Sequence, residues 1–441
     1  MHMPNRSNPD EEPKEKRQFM REKVVRPPMS RKQVALKVCS YALIAAIGGL
    51  AAGAGFAVAR PLAEKYLVPE ETEESIPVTI PKDEPETTPP ETLPPVTESE
   101  TPETEPIEEM VQSALEEYEY NVEDIRSLYT SLRDVAVSVD DGIVVVHPVK
   151  QELDWFDNSV ETSDTYAGVV IASTNREFLI MTPVGAVEDA DSIKVAFSDN
   201  TEAAATVKQT DETAGMAVVS VDKFSLTENT RNTVQPLQLG NSYSVKQGDL
   251  LVALGAPAGF VRSTTYGAVS YVMKNVQVAD GTTRLLFADI AGDPDKGTFL
   301  VNLSGQVVGW VTGDYEKELG SNVTVIMAIS DYKGILEKMS NGVAAPYLGI
   351  RGQEVNAAMA EKGLPHGVYV ADCILNGPAY NAGIQPGDVI VQVGEKEIAT
   401  MKDYQNQLDP LKEGEEITVV VQRKGIDEYK ELKYQVIVGA R

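Results

Sequence analysis

The stretch that most restricts what this chain can fold into runs from Leu285 to Trp310. Read locally, it is an apolar strand, a loop built from Gly292, Asp293, Pro294, Asp295 and Gly297, a second strand through Val301, a tight turn at Ser304-Gly305, and a third strand ending at Trp310. Apolar runs bounded by turn residues license each of those assignments. The same texture extends from about residue 132 to 339. Gly142-Ile143-Val144-Val145-Val146-His147, Gly168-Val169-Val170-Ile171-Ala172 and Ile193-Lys194-Val195-Ala196-Phe197 are further short runs, with few helical stretches among them. That spacing predicts a mainly β body, a barrel or a sandwich, and residue physics alone does not choose between them.

Charge and residue counts narrow the chemistry. With 67 acidic against 39 basic residues the 441-residue chain carries a formal charge of -28, which would repel nucleic-acid phosphates. Cys39 and Cys373 lie in different segments, so no disulfide framework is expected. Three histidines, His2, His147 and His366, do not suffice for a zinc cluster. Neither a cofactor nor a metal is expected.

Ahead of the β body the chain changes character three times. Residues 1–37 are polar, with Arg17, Arg21, Lys23, Arg26, Arg31, Lys32 and Lys37 leading into an uncharged run from Val38 to Ala59. Such a run is long enough to span the ~30 Å hydrocarbon core as a helix. The basic flank precedes it, which sets residues 1–37 as a cytoplasmic tail and the bulk outside, in a single-pass membrane protein. Ala57-Val58-Ala59 offers the alternative of a cleaved signal peptide, but the long polar head favours an uncleaved anchor. Residues 60–106 are an acidic linker rich in Pro, Thr and Glu, expected to be an extended, solvated spacer. Over residues 107–135, Val111, Leu115, Tyr118, Val122, Ile125, Tyr129 and Leu132 recur at spacings of four and three. Two readings stand: a coiled-coil seam, or a helix laid on the following domain.

Within residues 136–340, several runs carry a resemblance. Asp249-Leu250-Leu251-Val252-Ala253-Leu254-Gly255-Ala256-Pro257-Ala258-Gly259, then Gly267-Ala268-Val269-Ser270, then Asn302-Leu303-Ser304-Gly305-Gln306-Val307-Val308-Gly309 resemble the segments around the nucleophile of HtrA/DegP-like trypsin-like serine proteases. The resemblance implies two six-stranded β-barrels with a cleft between them, and trimers formed through that body. It also locates the family's triad. The histidine position falls on Gly185 in Thr182-Pro183-Val184-Gly185-Ala186-Val187-Glu188-Asp189-Ala190, and the aspartate position on Gly215 in Gly215-Met216-Ala217-Val218-Val219. The nucleophile position falls on Lys296, or on Gly297 when counted forward from Asp289. Serine attack needs an imidazole to take the hydroxyl proton and an acid to fix that imidazole's tautomer; without them about a thousand- to ten-thousand-fold over water remains. Asp293 and Asp295 further place negative charge where an oxyanion would need donors. No catalytic residue is therefore expected, and Thr298 is the nearest hydroxyl to the lost serine.

Residues 345–441 resemble the PDZ domain that follows such protease bodies. The residues that carry this are Tyr347-Leu348-Gly349-Ile350, Gly367-Val368-Tyr369-Val370 and the run from Gly377-Pro378-Ala379 through Ala382-Gly383-Ile384-Gln385-Pro386-Gly387-Asp388-Val389-Ile390. A PDZ groove adds an extended peptide as a strand and cradles its terminal carboxylate with backbone N–H groups. By resemblance the carboxylate loop is Tyr347, Leu348, Gly349 and Ile350, and the helix carrying Tyr404 and Leu408 forms the opposite wall.

The expectation that follows is a membrane-anchored extracytoplasmic pseudoprotease that binds peptide C-termini or exposed hydrophobic segments of proteins, in envelope quality control or scaffolding. Two alternatives remain open: an active HtrA-type serine endopeptidase with relocated catalytic residues, and a structural envelope protein with no peptide ligand.

Overall fold

The structure, a computed structural model, describes residues 77–85, 121–153, 159–313, 315, 323–426 and 428–441. Helix α1 (Val122–Val139) is the first regular element among them. Asn121 caps it by accepting from Glu123 N and Asp124 N, while the Asp124 carboxylate reaches back to Asn121 N. Its second half buries Leu132 and Ala136 against the body, whereas Val122, Ile125 and Tyr129 are exposed. Of the seven seam positions, Val111, Leu115 and Tyr118 lie outside the described residues, and Leu132 is the one that packs on the following domain.

Strands β1 (Ile143–Leu153), β2 (Ser159–Ser163), β3 (Tyr166–Ser173), β4 (Glu177–Pro183), β5 (Ser192–Ala196), β6 (Glu202–Asp211) and β7 (Met216–Asp222) form the first barrel. The antiparallel ring runs β1-β3-β4-β7-β6-β5 and closes where β1 pairs β5; β2 hangs from the outer stretch of β1. After helix α2 (Glu228–Thr233) come β8 (Leu250–Gly255), β9 (Ser263–Val278), β10 (Gly281–Ala288), β11 (Thr298–Val301), β12 (Val307–Val311) and β13 (Thr324–Ala328). They close in the order β10-β13-β12-β11-β8-β9. Two six-stranded barrels result.

Alternation explains why so many of these strands read as unbroken apolar runs. Phe178 and Ile180 of β4 join Val144, Val146, Val219 and Val221 inside the first barrel, while Leu179 and Met181 face the opposite way. In the second barrel Leu251, Ala253, Leu286, Leu300 and Ile326 fill the interior. Val252, Leu254, Leu285, Phe299 and Val325 join Leu179 and Met181 in a layer shared by both barrels and α1. Successive side chains point to opposite faces, and here both faces are covered, so the strand centres are mainly apolar and the buried Thr182 and Ser220 are hydrogen-bonded.

Helix α3 (Lys333–Ser340) closes the body with Leu336 and Met339 in the same layer. Residues 77–85 lie against it, a correction to the expected spacer over 60–106. Ile80 is buried, Ile80 N donates to Glu337 Oε2 at 2.9 Å, and Asn341 brackets Val78 with bonds to its N–H and carbonyl at 2.9 and 2.8 Å. Asp83 pairs with the buried Lys333 ammonium at 2.8 Å. The uncharged run at 38–59 lies outside the described residues, and no helix among those described is long and apolar enough to cross a membrane.

The C-terminal domain comprises β14 (Pro346–Tyr347), β15 (Ile350–Glu354), α4 (Ala357–Glu361), β16 (Val368–Cys373), α5 (Pro378–Ala382), β17 (Val389–Val393), β18 (Lys396–Glu397), α6 (Met401–Leu408), β19 (Glu416–Lys424), β20 (Tyr429–Ile437) and β21 (Gly439–Ala440). Its main sheet is ordered β15-β16-β17-β19-β20, with β18 beside β17 and a separate β14–β21 pair. Strand β15 therefore lies at a sheet edge. Leu348, Ile350, Val368, Ile390, Tyr404, Val419 and Val436 make up much of a core separate from that of the barrels.

Candidate functional site

Two places could carry chemistry: the seam between the barrels and the edge of the C-terminal domain. At the seam the loop from Ala291 to Gly297 crosses from β10 to β11. Ala167 N donates to Lys296 O at 2.8 Å, and Ala256 N to Gly297 O at 2.8 Å, so the loop is stapled to both barrels. Val184 N donates to Gly215 O at 2.9 Å. Tyr166 connects the remaining positions: its ring lies 4.6 Å from Lys296 Nζ, and a side chain begun at Gly185 would meet that ring at 3.4 Å. Lys296 also faces Asp164 at 3.4 Å. Of the positions singled out in sequence, Gly185 and Lys296 thus lie against one tyrosine, while Gly215 is tied to the residue before Gly185 through its carbonyl.

Three of the loop's own N–H groups, those of Asp293, Asp295 and Lys296, are bonded within the loop. The Asp293 carboxylate accepts from Asp295 N at 2.9 Å and from Lys296 N at 3.0 Å, and the residue between the two aspartates is Pro294, which has no N–H. An oxyanion hole is built from backbone donors converging on one point, and here the N–H groups of Asp295 and Lys296 are bonded to a carboxylate. Thr298, the nearest hydroxyl, is buried, and it donates to Asp293 O and accepts from Asp293 N, both at 2.9 Å.

The edge site is differently built. Gly349, at φ 79°, turns the chain between Tyr347 and Ile350 so that three consecutive N–H groups face one side. The Tyr347 ring packs over that glycine so closely that a Cβ there would sit 2.9 Å from it. Leu348 N, Gly349 N and Ile350 N all donate to the carboxylate of Asp280, at distances from 2.9 to 3.2 Å. The Tyr404 hydroxyl donates to the same group at 2.7 Å. Burial, and then the adjacent Asp280 charge, push the Tyr404 phenol well above its ordinary value, so it remains a donor.

The structure brings the expected groove residues Tyr347, Leu348, Gly349, Ile350 and Tyr404 to one point, though not all in the same way. Leu348 and Ile350 contribute backbone while their side chains are in the core; Tyr404 contributes its hydroxyl; Leu408, also buried, serves the core of α6. Three residues escaped sequence reasoning. Pro294 and Tyr166 were visible as residue types without an assigned part, and Asp280 lay in an Ala-Asp-Gly turn that reads as an ordinary hairpin.

Residues 167–309 match a family model described as a trypsin-like peptidase domain, and residues 346–434 match that of a PDZ domain. The chain carries an HtrA/DegP-like peptidase domain with a PDZ domain after it. Among curated relatives, a "Probable periplasmic serine endoprotease DegP-like" of Pseudomonas fulva (strain 12-X) is 30% identical over 272 residues, covering 60% of this chain and 54% of that protein. A protein of the same description from Ectopseudomonas mendocina (strain ymp) is 32% identical over 253 residues, covering 56% and 52%. The chain thus spans about half the length of these curated relatives. A solved structure, "HtrA-type protease AlgW with decapeptide", aligns over 70% of this chain and 98% of its own at 22% identity and a TM-score of 0.49, a likeness too distant to add to the assignment.

Cys373 sits on β16 of the PDZ domain with its thiol directed at Ile384 O, 3.5 Å away. Burial, and after it the Asp372 charge, push this thiol up to about 11. At pH 7.5 that leaves roughly a hundredfold less thiolate than an ordinary cysteine has. Iodoacetamide at pH 7.5 is therefore expected to leave the Cys373 peptide unmodified in the folded protein and to alkylate it fully after denaturation, as read by mass spectrometry.

Proposed function

We propose that this chain is a membrane-anchored, extracytoplasmic HtrA-like pseudoprotease whose working activity is capture of peptide C-termini by its PDZ domain. The run at 38–59 is the anchor in this reading, residues 60–76 and 86–106 the spacer, and the peptidase body a trimer-forming platform. The "periplasmic" description of the relatives is consistent with that side of the membrane.

The observation that carries the reading is that three successive N–H groups and a phenol converge on one carboxylate at Tyr347–Ile350. Charge-assisted bonds of this kind are among the strong ones, and the same arrangement accepts a terminal carboxylate next to an edge strand. Absence of cleavage is supported by what fills the seam: glycine at two triad positions, lysine at the third, and Asp293 on the loop's N–H groups.

Two measurements test this. Free-acid peptides with apolar C-terminal residues are expected to bind the purified protein at least tenfold more tightly than their amidated counterparts, with binding lost in Gly349→Trp. A fluorophosphonate probe is expected to leave the protein unlabelled; labelling that vanishes in Thr298→Ala would restore the endopeptidase reading. Absence of any C-terminal preference, with Gly349→Trp without effect, would favour a structural protein.

A further inference from the structure

The group held in the PDZ cradle belongs to the peptidase body. Strand β9 pairs with β8 over Ser263–Ala268, and β10 pairs with β13 only from Leu285 to Ala288. Further out, Val276–Val278 and Gly281–Thr283 pair with each other as a two-stranded arm that leaves the second barrel. At its tip the turn Ala279-Asp280 carries Asp280 at φ 57°, a left-handed conformation that Asp and Asn tolerate better than most residues.

That tip docks on the PDZ domain by two kinds of contact. Ala279 forms an antiparallel bridge with Arg351 of the edge strand β15, and Asp280 N donates to Ile350 O at 2.7 Å. The Asp280 side chain then turns into the cradle, where only about 7% of the residue is left exposed. Gln405 of α6 reaches Asp280 O at 3.5 Å, and Arg441 Nη2 donates to Ala279 O at 3.1 Å. Gln277 and Gln353 side chains meet alongside at 3.1 Å. Strand addition at the edge plus a carboxylate on the N–H groups is the pair of contacts a peptide terminus would make.

We propose that the β9–β10 arm is a built-in occupant of the PDZ groove, and that a peptide with a free C-terminal carboxylate binds by displacing Asp280. This rests on the peptide-capture reading above. Exchange of one carboxylate for another in the same cradle changes little in contact energy, so the outcome depends on concentration. The tethered Asp280 acts at an effective concentration in the millimolar range, as short tethers do. Apparent peptide affinity falls by the fraction of protein in which the groove is open.

The test compares full-length protein with Asp280→Gly and Asp280→Asn. Both residues accept the left-handed turn, glycine without a side chain and asparagine without the charge. The probe is a pool of fluorescein-labelled decapeptides ending in Val, Leu, Ile or Phe, as free acids and as amides, followed by anisotropy. Asp280→Gly is expected to bind the free acids at least tenfold more tightly than wild type, Asp280→Asn to gain less, and neither to gain for the amides. Without peptide, hydrogen exchange across residues 346–352 is expected to accelerate in Asp280→Gly. Equal peptide affinity in wild type and Asp280→Gly, or unchanged exchange at 346–352, overturns the proposal while leaving peptide capture intact. Faster exchange in Asp280→Gly with no peptide binding by any form leaves the arm as occupant and overturns peptide capture instead.

Discussion

Replacing Arg423 by leucine is expected to destabilise the PDZ domain by about 3–5 kcal/mol, the range found when one partner of a buried ion pair is removed. Asp388 is almost wholly buried, at 1% exposure. Arg423 meets it as a fork, with Nε at 2.6 Å from Oδ1 and Nη2 at 2.7 Å from Oδ2, and Nη2 also donates to Gly383 O at 3.0 Å. Without the guanidinium the carboxylate keeps the bond from Gln385 N at 3.0 Å but loses its counter-charge, in a medium where an unpaired charge is costly. The damage is local to the chain reversal that positions the domain: Asp388 O accepts from Val370 N, which ties β16 to the start of β17. Denaturant titration of the far-ultraviolet signal measures the loss. Combining Arg423→Leu with Asp388→Asn is expected to recover more than half of it, because the buried charge goes too. A loss below about 1 kcal/mol for Arg423→Leu would put the pair with exposed salt bridges.

Much of this architecture was legible in the sequence, for a physical reason. Strands covered on both faces leave runs such as Phe178-Leu179-Ile180-Met181 and Leu251-Val252-Ala253-Leu254, which punctuating turns convert into a strand count. Alternation within such a run is invisible when both faces are apolar, so which residues fill a barrel and which form the shared layer emerges only from the packing. Topology came from the resemblance, since strand order is not encoded in any one run. The cradle loop, too, was implied by the resemblance; that Gly349 adopts the left-handed conformation there came from the structure.

What escaped was long-range. Asp280 lies 68 residues before Leu348 and 124 before Tyr404, and nothing in Val278-Ala279-Asp280-Gly281 distinguishes it from a common hairpin turn. The docked segment at 77–85 was hidden by its surroundings. Val78 and Ile80 are few apolar residues in a tract whose composition argues for solvation, and their partners Glu337 and Asn341 stand more than 250 positions away. The helical seam failed to resolve because its periodicity fits either a second helix or the body; Leu132 packs on the body, while Val122, Ile125 and Tyr129 are exposed.

That docked segment sets the second large effect. Asp83→Ala is expected to cost about 3 kcal/mol, because it strands a buried cation. Lys333 is 3% exposed, and besides Asp83 at 2.8 Å its ammonium has Leu239 O at 3.3 Å. Asp83 additionally receives the Ser330 hydroxyl at 2.5 Å, so its removal leaves two buried donors short of an acceptor. Other attachments of the segment are weaker. Lys82 approaches Asp409, just beyond α6, at 4.0 Å with both side chains over half exposed, a pairing worth at most about 1 kcal/mol. Burial of Ile80 contributes about 2 kcal/mol. Asp83→Ala is thus expected to free residues 77–85 for limited proteolysis at protease levels that leave the wild type intact. Lys333→Met in the same chain is expected to restore most of the lost stability without restoring protection of the segment, since it removes the stranded charge but not the missing tether. If both stability and protection return together, the segment is held by Ile80 and the Asn341 bonds, and the ion pair is only its lid.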